Sequence, residues 1–504
     1  MLANIATFAL EGVDSREVTV EVDVRPGLPV FTVVGLPDAA VREARERVRA
    51  AILNSGFEFP LQRLTANLAP AHVRKAGPSF DLALAVALLA ASRQLPPEGL
   101  ESCAVCGELS LGGELRAVHG AVAVAAGARH AGYRRLIVPA ENAAEAALVE
   151  GIEVLGAPSL GRLVDLVTGR WTPPPAVAVE HVAAPPREPG PDLDEVYGQV
   201  DARRALELAA AGGHNLLMIG PPGAGKTMLA RRLPGILPPP TFEEALEITR
   251  VHSVAGISDG RLAEERPFRA PHHTISSSGL VGGGATPRPG EITLAHRGVL
   301  FLDELAEFSR PVLEALRQPL EEGVVKVTRG QRSLVFPAAT MLIAASNNCP
   351  CARPAPDCTC GPLDHLRYSR RLSAPLLDRI DLVCQLDASP QLEAVSGRPE
   401  GSAPVRQRVL AARERQRARF EGTSARSNAE MDVRLTNVHV KLPAAARRRL
   451  LAGSRNAPLS ARGHDRVLRL ARTIADLDGR EKVAPADLDE ALGYRLSAPL
   501  GVAA

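Results

Sequence analysis

The sequence predicts an α/β chain of about three domains that closes in helices. Three observations predict it. Residues 1–168 alternate strand-like and helix-like segments. "NLLMIGPPGAGKT" runs an apolar strand into a glycine-rich loop and a helix. The segments after residue 388, such as "VRQRVLAARERQRARF" and "SARGHDRVLRLARTIADLDG", carry helical spacing. The totals agree: of 504 residues 45% are apolar, enough to build sizeable cores. Aromatics are only 3%, so those cores are built from Leu, Val, Ala and Ile. The net charge of +2 announces no nucleic-acid binder, and any basic surface must be local.

In chain order, "EVTVEVDVRPGLPVFTVVGL" has period-2 apolar spacing and turn residues, as strands do. "AAVREARERVRAAILNSG" has helical spacing and a stop at Gly56. "GYRRLIVPAENAAEAALVEGIEVLGA" reads strand, helix, strand. Residues 169–191 form a Pro-rich linker, with Trp171 to Pro191 lacking amphipathic pattern. A second αβ region spans 192–388, and residues 389–504 are helical. No leader pattern opens the chain, and the longest apolar runs are about half the roughly 20 residues of a membrane helix. The expectation is a cytoplasmic protein with no membrane partner.

The strand-loop-helix at 215–233 is a full G-x-x-x-x-G-K-T match, in the context that motif requires. The loop comprises Gly220, Pro221, Pro222, Gly223, Ala224, Gly225, Lys226 and Thr227. Its glycines let backbone N–H groups approach phosphates, Lys226 brings a positive charge to the β- and γ-phosphates, and the Thr227 hydroxyl can ligate Mg²⁺. The following helix adds its positive N-terminal end. Downstream, "GVLFLDEL" is a buried strand ending in Asp303 and Glu304. Alone that is a weak pattern. After a phosphate loop it puts Asp303 near the metal and Glu304 where it can deprotonate water. ATP and Mg²⁺ are the cofactors this predicts.

Three further residues have two readings each. Asn347, ending the strand "TMLIAASNN", either holds the lytic water or caps a turn. Arg379, in "SAPLLDRIDLV", either stabilises a transferring phosphate or pairs with Asp378 or Asp381. Arg462 either senses the γ-phosphate or is a solvated residue at a helix head.

Seven cysteines are present, and four crowd into "CPCARPAPDCTC". Cys349, Cys351, Cys358 and Cys360 form C-x-C-x₆-C-x-C, a candidate tetrahedral zinc shell. Cys103, Cys106 and Cys384 read as core.

Taken together, "RPFRAPHHTISSSGLVGGGATPRPGEITLAHRGVLFLDEL", "NNCPC" and "RLSAPLLDRIDL" resemble the AAA+ ATPases of the magnesium-chelatase-like ComM/YifB family. The resemblance covers essentially the whole chain. It implies an N-terminal ChlI/Lon-protease-like domain over 1–168, a central AAA+ P-loop αβα module over 192–388 and a C-terminal helical lid over 389–504. It makes Lys226 and Thr227 the Walker A residues, Asp303 and Glu304 Walker B, Asn347 sensor 1, Arg379 a trans-acting finger and Arg462 sensor 2. It also implies a homo-hexameric motor that drives branch migration on single-stranded and branched DNA during natural transformation.

Within that resemblance "GPSFDLALAVALL" looks like the segment holding the nucleophilic serine of Lon-type peptidases, here Ser79. Such a serine needs a lysine base. At the corresponding place this chain reads "HGAVAVA", with Val122 at or beside the position. The expectation is a peptidase fold without its chemistry, Ser79 serving as an N-cap for a helix opening at Phe80 or Asp81. The DNA handle is expected in "PLEEGVVKVTRGQRSLVFPAAT", two strands whose turn would project Lys326, Arg329 and Arg332 into a pore. An ordinary solvated hairpin is the plain alternative. Arg269, His272 and His273 of "FRAPHHT" have a structural or nucleic-acid-facing role. Arg406, Arg408, Arg413, Arg415, Arg417 and Arg419 are an alternative basic strip, but a solvated helical face is the favoured reading. Two rivals stay open: a chelatase-like ATPase subunit that remodels a protein partner, and a Lon-like ATP-dependent protease, which the missing lysine disfavours.

Overall fold

The computed structural model describes residues 1–36, 38–73, 75–175, 190–284, 287–329, 332–353, 357–386, 399–442, 448, 450 and 460–496. Most of the linker expected over 169–191 therefore lies outside the described residues.

The first 168 residues build a seven-stranded sheet. Its strands are β1 (Leu2–Glu11), β2 (Asp14–Arg25), β3 (Val30–Val34), β4 (Arg63–Ala69), β5 (Cys103–Val105), β6 (Arg135–Pro139) and β7 (Glu153–Ala157). They lie in the order β3-β4-β2-β1-β5-β6-β7. The period-2 spacing read at β2 is realised: Val18, Val20, Val22 and Val24 are buried while the residues between them are not. Helix α1 (Ala39–Asn54) starts at Asp38, whose side chain accepts the Val41 N–H at 2.9 Å. Helix α2 (Asp81–Ala91) is buried along all of its 11 residues, as a helix apolar on every face must be. Helix α3 (Ala121–His130) packs Val122 at 0% exposure.

Ser79 corrects the expectation. Helix α2 does open at Asp81, but its cap residue is Phe80, with no side-chain cap bond. Ser79 sits inside the preceding 3₁₀ turn, Pro78–Phe80. Its carbonyl accepts the Gly107 N–H at 3.1 Å. The Gly77-Pro78 start, with Gly77 at φ 88°, winds one tight turn ahead of the α-helix and moves the cap position past the serine.

The second sheet has five strands: β8 (Leu216–Ile219), β9 (Phe268–Arg269), β10 (Val299–Leu302), β13 (Met341–Ser346) and β14 (Leu382–Gln385), with the separate hairpin β11 (Val324–Arg329) and β12 (Arg332–Pro337) between β10 and β13. The sheet order is β9-β10-β13-β8-β14 and every pair is parallel. β8, β10 and β13 are buried at every position, as parallel strands covered on both faces are. Helices α4 (Val200–Gly212), α5 (Lys226–Ala230) and α6 (Phe242–Ala255) follow in this region. Gly213 at φ 73° stops α4, and a Thr241/Glu244 capping box starts α6.

The C-terminal helices α8 (Ser402–Arg419), α9 (Ala461–Leu477) and α10 (Pro485–Leu496) come after α7 (Pro362–Ser369). They share one core with β8 and α4. The arginines of α8 divide: Arg406, Arg415 and Arg417 are exposed, as a solvated face requires, while three others bond to groups of α4 and α9. Arg408 pairs with Glu207 at 2.6 Å, Arg413 donates to the Ala210 carbonyl at 3.0 Å, and Arg419 pairs with the buried Asp476 at 2.5 Å. Packing against α4 and α9 draws these side chains inward.

The two sheets are joined directly. Val13, in the turn between β1 and β2, is buried in the same apolar cluster as Leu300 and Phe336. Asp14 pairs with Arg250 at 2.9 Å, and the Gly120 N–H donates to the Ser253 carbonyl at 3.0 Å. Among the described residues no helix is long and apolar enough to cross a membrane.

Candidate nucleotide site

Ligands of open parallel sheets bind beyond the carboxyl ends of the strands. At that end of the second sheet, three adjacent strands each deliver one polar group. β8 runs into the loop 220–227. Gly223 and Gly225 hold φ of 78° and 89°, the left-handed region that glycine enters without penalty. β10 ends at Asp303 and Glu304, and β13 ends at Asn347.

These groups meet. Lys226 Nζ donates to Asn347 Oδ1 at 3.1 Å and to the carbonyls of Gly220 and Pro221 at 2.7 and 2.9 Å. Burial lowers the Lys226 ammonium below its ordinary value, while Asp303 and Glu304 pull it upward. The Thr227 hydroxyl donates to Asp303 Oδ2 at 2.6 Å, and the Glu304 N–H donates to Asp303 Oδ1 at 3.0 Å. A hydroxyl beside a carboxylate is the hard oxygen donor set that suits Mg²⁺. Glu304 stands at φ 52°, a conformation costing a non-glycine residue on the order of 1–3 kcal/mol. Its carboxylate is 53% exposed, so it is open to water while the aspartate beside it is engaged.

Two further residues lie near this site, His273, which the sequence marked without a role in catalysis, and Gln199, which it did not mark at all. His273 Nδ1 lies 3.5 Å from Glu304 Oε2, and its ring centroid is 4.1 Å from that of His272, the two planes tilted by 34°. The "FRAPHHT" histidines therefore face the carboxylate end of β10, and Arg269 instead pairs with Glu291 at 2.7 Å. Gln199, at φ 49°, donates to the Ala224 carbonyl at 3.2 Å. No local motif marks that link, since 25 positions separate the two residues.

Arg379 and Arg462 are gathered elsewhere. Arg379 comes just before β14, whose Leu382 is level with Leu216 at the start of β8. It therefore lies at the amino ends of the strands, while the glycine loop lies at their carboxyl ends. Four strand residues place these ends roughly 10 Å or more apart. The Arg379 guanidinium is nearly buried. It donates to the carbonyls of Arg317 at 3.0 Å and Pro375 at 2.6 Å, and to the Glu321 carboxylate. Arg462 Nη2 reaches the other oxygen of Glu321 at 2.9 Å. Glu321 is held below the ordinary carboxylate range, chiefly by the Arg379 hydrogen bond. Arg379 thus pairs with Glu321, and not with the Asp378 or Asp381 beside it in sequence. Asp381 instead bonds the Asn215 N–H at 2.9 Å and pairs with Arg466.

The hairpin is present, with Arg329 level with Arg332 across the ladder. Its turn at 330–331 lies outside the described residues, as do the side chains of those two arginines. Lys326 pairs with Glu322 at 2.8 Å, both half-exposed. The four clustered cysteines do converge: their sulfurs lie within 4.8 Å of one another, a donor set compatible with Zn²⁺. Cys103, Cys106 and Cys384 are buried, as expected.

Known proteins resemble this chain along its length. The family model described as magnesium chelatase, subunit ChlI, matches residues 192–394. Models of subunit ChlI of Mg-chelatase and of the ChlI C-terminal part match 20–142 and 399–495. The chain is 44% identical to the uncharacterized protein YifB of Escherichia coli, over 98% of this chain and 97% of that protein. It is 43% identical to the competence protein ComM of Haemophilus influenzae, over 98% and 97%. The uncharacterized protein Rv2897c of Mycobacterium tuberculosis is 43% identical, over 98% of both chains.

Proposed function

The chain belongs to the magnesium-chelatase-like ComM/YifB family, and from that premise we propose that it is an ATP-hydrolysing hexameric ring motor on DNA. Its task in this reading is branch migration, aiding the integration of incoming single strands during transformation and recombination. One observation carries the ATPase half: Lys226, Thr227, Asp303, Glu304 and Asn347 converge from three neighbouring strands, while Arg379 and Arg462 stand together at the opposite end. A single chain then holds half of each of two sites, and a ring completes them. The competence role named for the Haemophilus relative supports the DNA half.

The domain reading is a ChlI/Lon-like unit over 1–168 that lacks a catalytic lysine, a linker over 169–191, an AAA+ module over 192–388 and a helical lid over 389–504. ATP and Mg²⁺ are the cofactors, and Thr227 and Asp303 hold the metal. Bound magnesium neutralises charge on the β- and γ-phosphates. The loop N–H groups of 220–227 cradle the phosphates and Lys226 contacts their oxygens. Asn347 orients the attacking water, and Glu304 accepts its proton. Arg379 and Arg462 reach the γ-phosphate of the neighbouring subunit and stabilise charge in the transition state. Lys326, Arg329 and Arg332 contact DNA phosphates, so their loss weakens binding without altering sequence preference.

The chelatase name of the matching family models favours a second reading, an ATPase subunit that remodels a protein partner. A labelled three-strand junction separates the two. The motor moves the branch point in the presence of ATP and fails with Lys226→Ala. Junction movement no faster with protein than without it overturns the motor reading.

A further inference from the structure

We infer that Cys349, Cys351, Cys358 and Cys360 hold one structural zinc ion that braces the segment joining Asn347 to Arg379. The metal half stands on the cysteines alone. The importance of the brace rests on the ATPase reading of those two residues.

The sulfur spacing fits a tetrahedral zinc shell. Cys349 Sγ is 3.2 Å from Cys351 Sγ and 3.6 Å from Cys358 Sγ, and Cys351 Sγ is 3.6 Å from Cys358 Sγ. All four are free thiols, well beyond the roughly 2.05 Å of a disulfide bond. Zinc–sulfur bonds of about 2.3 Å put the ligand sulfurs about 3.8 Å apart, inside the observed span of 3.2 to 4.8 Å. An iron–sulfur cluster, with several atoms at its centre, needs its cysteines farther apart. The outer groups fit as well. Backbone N–H groups of Arg353 and Thr359 face the Cys351 sulfur. His365 Nε2 lies 3.7 Å from Cys358 Sγ. Such donors commonly orient and stabilise metal-bound thiolates.

The surroundings explain why a metal is needed. Among the described residues between Ser346 and α7, only Cys349 is buried. The segment has no apolar core of its own, so ordering it takes another source of free energy. Structural zinc contributes folding free energy outright, releasing the thiol protons as the four Zn–S bonds form.

The position explains what the metal does. Cys349 follows Asn347 by two residues, and Cys360 leads directly into α7. Near its end α7 returns Tyr368 to within 3.5 Å of the Ser346 hydroxyl, at the close of β13. Arg371 then pairs with Glu307 at 2.8 Å, in the turn that follows Glu304. The same segment runs on to Arg379. Fixing the cysteines thus fixes the start of α7, the first helix on the way from Asn347 to Arg379.

Elemental analysis of the full-length protein, purified under reducing conditions without chelator, tests the metal. We expect about one zinc per chain, falling below about a tenth in the Cys358→Ser/Cys360→Ser double variant, which also prevents His365 from completing a three-cysteine shell. Cobalt reconstitution of the wild type should give the visible bands of tetrahedral thiolate-bound Co(II). Protein without metal that also takes up no cobalt, or protein carrying iron in place of zinc, overturns the assignment. Hydrogen exchange reads the brace without any ATP turnover: stripping zinc from the wild type should speed exchange across residues 361–379 by about tenfold or more. Unchanged exchange in metal-free protein overturns the brace, whatever the ATPase rate. A zinc-loaded protein that hydrolyses no ATP counts against the proposed function and leaves the zinc assignment standing.

Discussion

Replacing Arg379 by alanine separates a structural arginine from one that acts on a neighbour. The structural share can be worked from its bonds. Its guanidinium donates to two carbonyls, at 3.0 and 2.6 Å, and to Glu321. Bonds to charged groups contribute about 1.5–3 kcal/mol each, less once water replaces the lost partner. Glu321 keeps Arg462 at 2.9 Å, so no carboxylate is left bare. A purely structural role therefore predicts a few kcal/mol of lost stability and nearly normal turnover in whatever remains folded. A finger supplies about 10³–10⁵ in rate, or roughly 4–7 kcal/mol of barrier. Arg379→Ala should then bind ATP normally and hydrolyse it at least about a thousandfold more slowly. Mixing it with Lys226→Ala is the decisive assay, read by phosphate release. Each variant alone is inactive, but in a randomly mixed ring about a quarter of the interfaces pair an intact loop with an intact arginine. Turnover should rise towards that fraction of the wild-type rate. No recovery in rings proven to be mixed, or near-normal turnover by Arg379→Ala alone, refutes the reasoning.

Other outcomes follow from the same geometry. Glu304→Gln keeps the shape but removes the proton acceptor, so it should retain ATP and DNA binding while phosphate release stops; release at the wild-type rate would remove Glu304 from the mechanism. Ser79→Ala should leave turnover and strand movement within about twofold, since its hydroxyl caps nothing, and labelling of Ser79 by a fluorophosphonate would restore the peptidase reading. Burial pushes the Asp81 carboxyl up to about 6 from its ordinary 3.8, against the pull of Arg47 at 2.8 Å. The folded chain then holds that proton more tightly than the unfolded one, so the stabilisation is full below pH 3.8 and is lost as pH rises through about 6. The gap is worth on the order of 3 kcal/mol. Asp81→Asn should flatten the melting temperature between those pH values, and an unchanged slope would assign the pH dependence to another group.

How much of this was legible in the sequence depends on how local each signal is. The glycine loop, the Asp303-Glu304 strand end and the Asn347 strand end each declare themselves within a dozen residues. The cysteine cluster declares itself by spacing. Tertiary pairing is not written that way. Glu321 joins Arg379 and Arg462 across 58 and 141 positions. His273 meets Glu304 only because β9 and β10 lie side by side. Arg408, Arg413 and Arg419 look solvated until α4 and α9 pack against α8. Ser79 misled because the sequence does not announce that one 3₁₀ turn precedes α2. Pairing of α-helical and strand periods set the two sheets, yet their joining through Val13 rests on a single turn residue with no pattern of its own.

The central claim is that ATP turnover in this protein serves movement on DNA. Steady-state phosphate release by the wild-type protein, with and without single-stranded or three-way junction DNA, tests it most directly. The account predicts stimulation of several-fold or more, screened away as salt rises if the proposed contacts of Lys326, Arg329 and Arg332 with phosphates are made, and abolished by Lys226→Ala. Turnover that is equally fast with no DNA, or that responds only to an added protein partner, would contradict it.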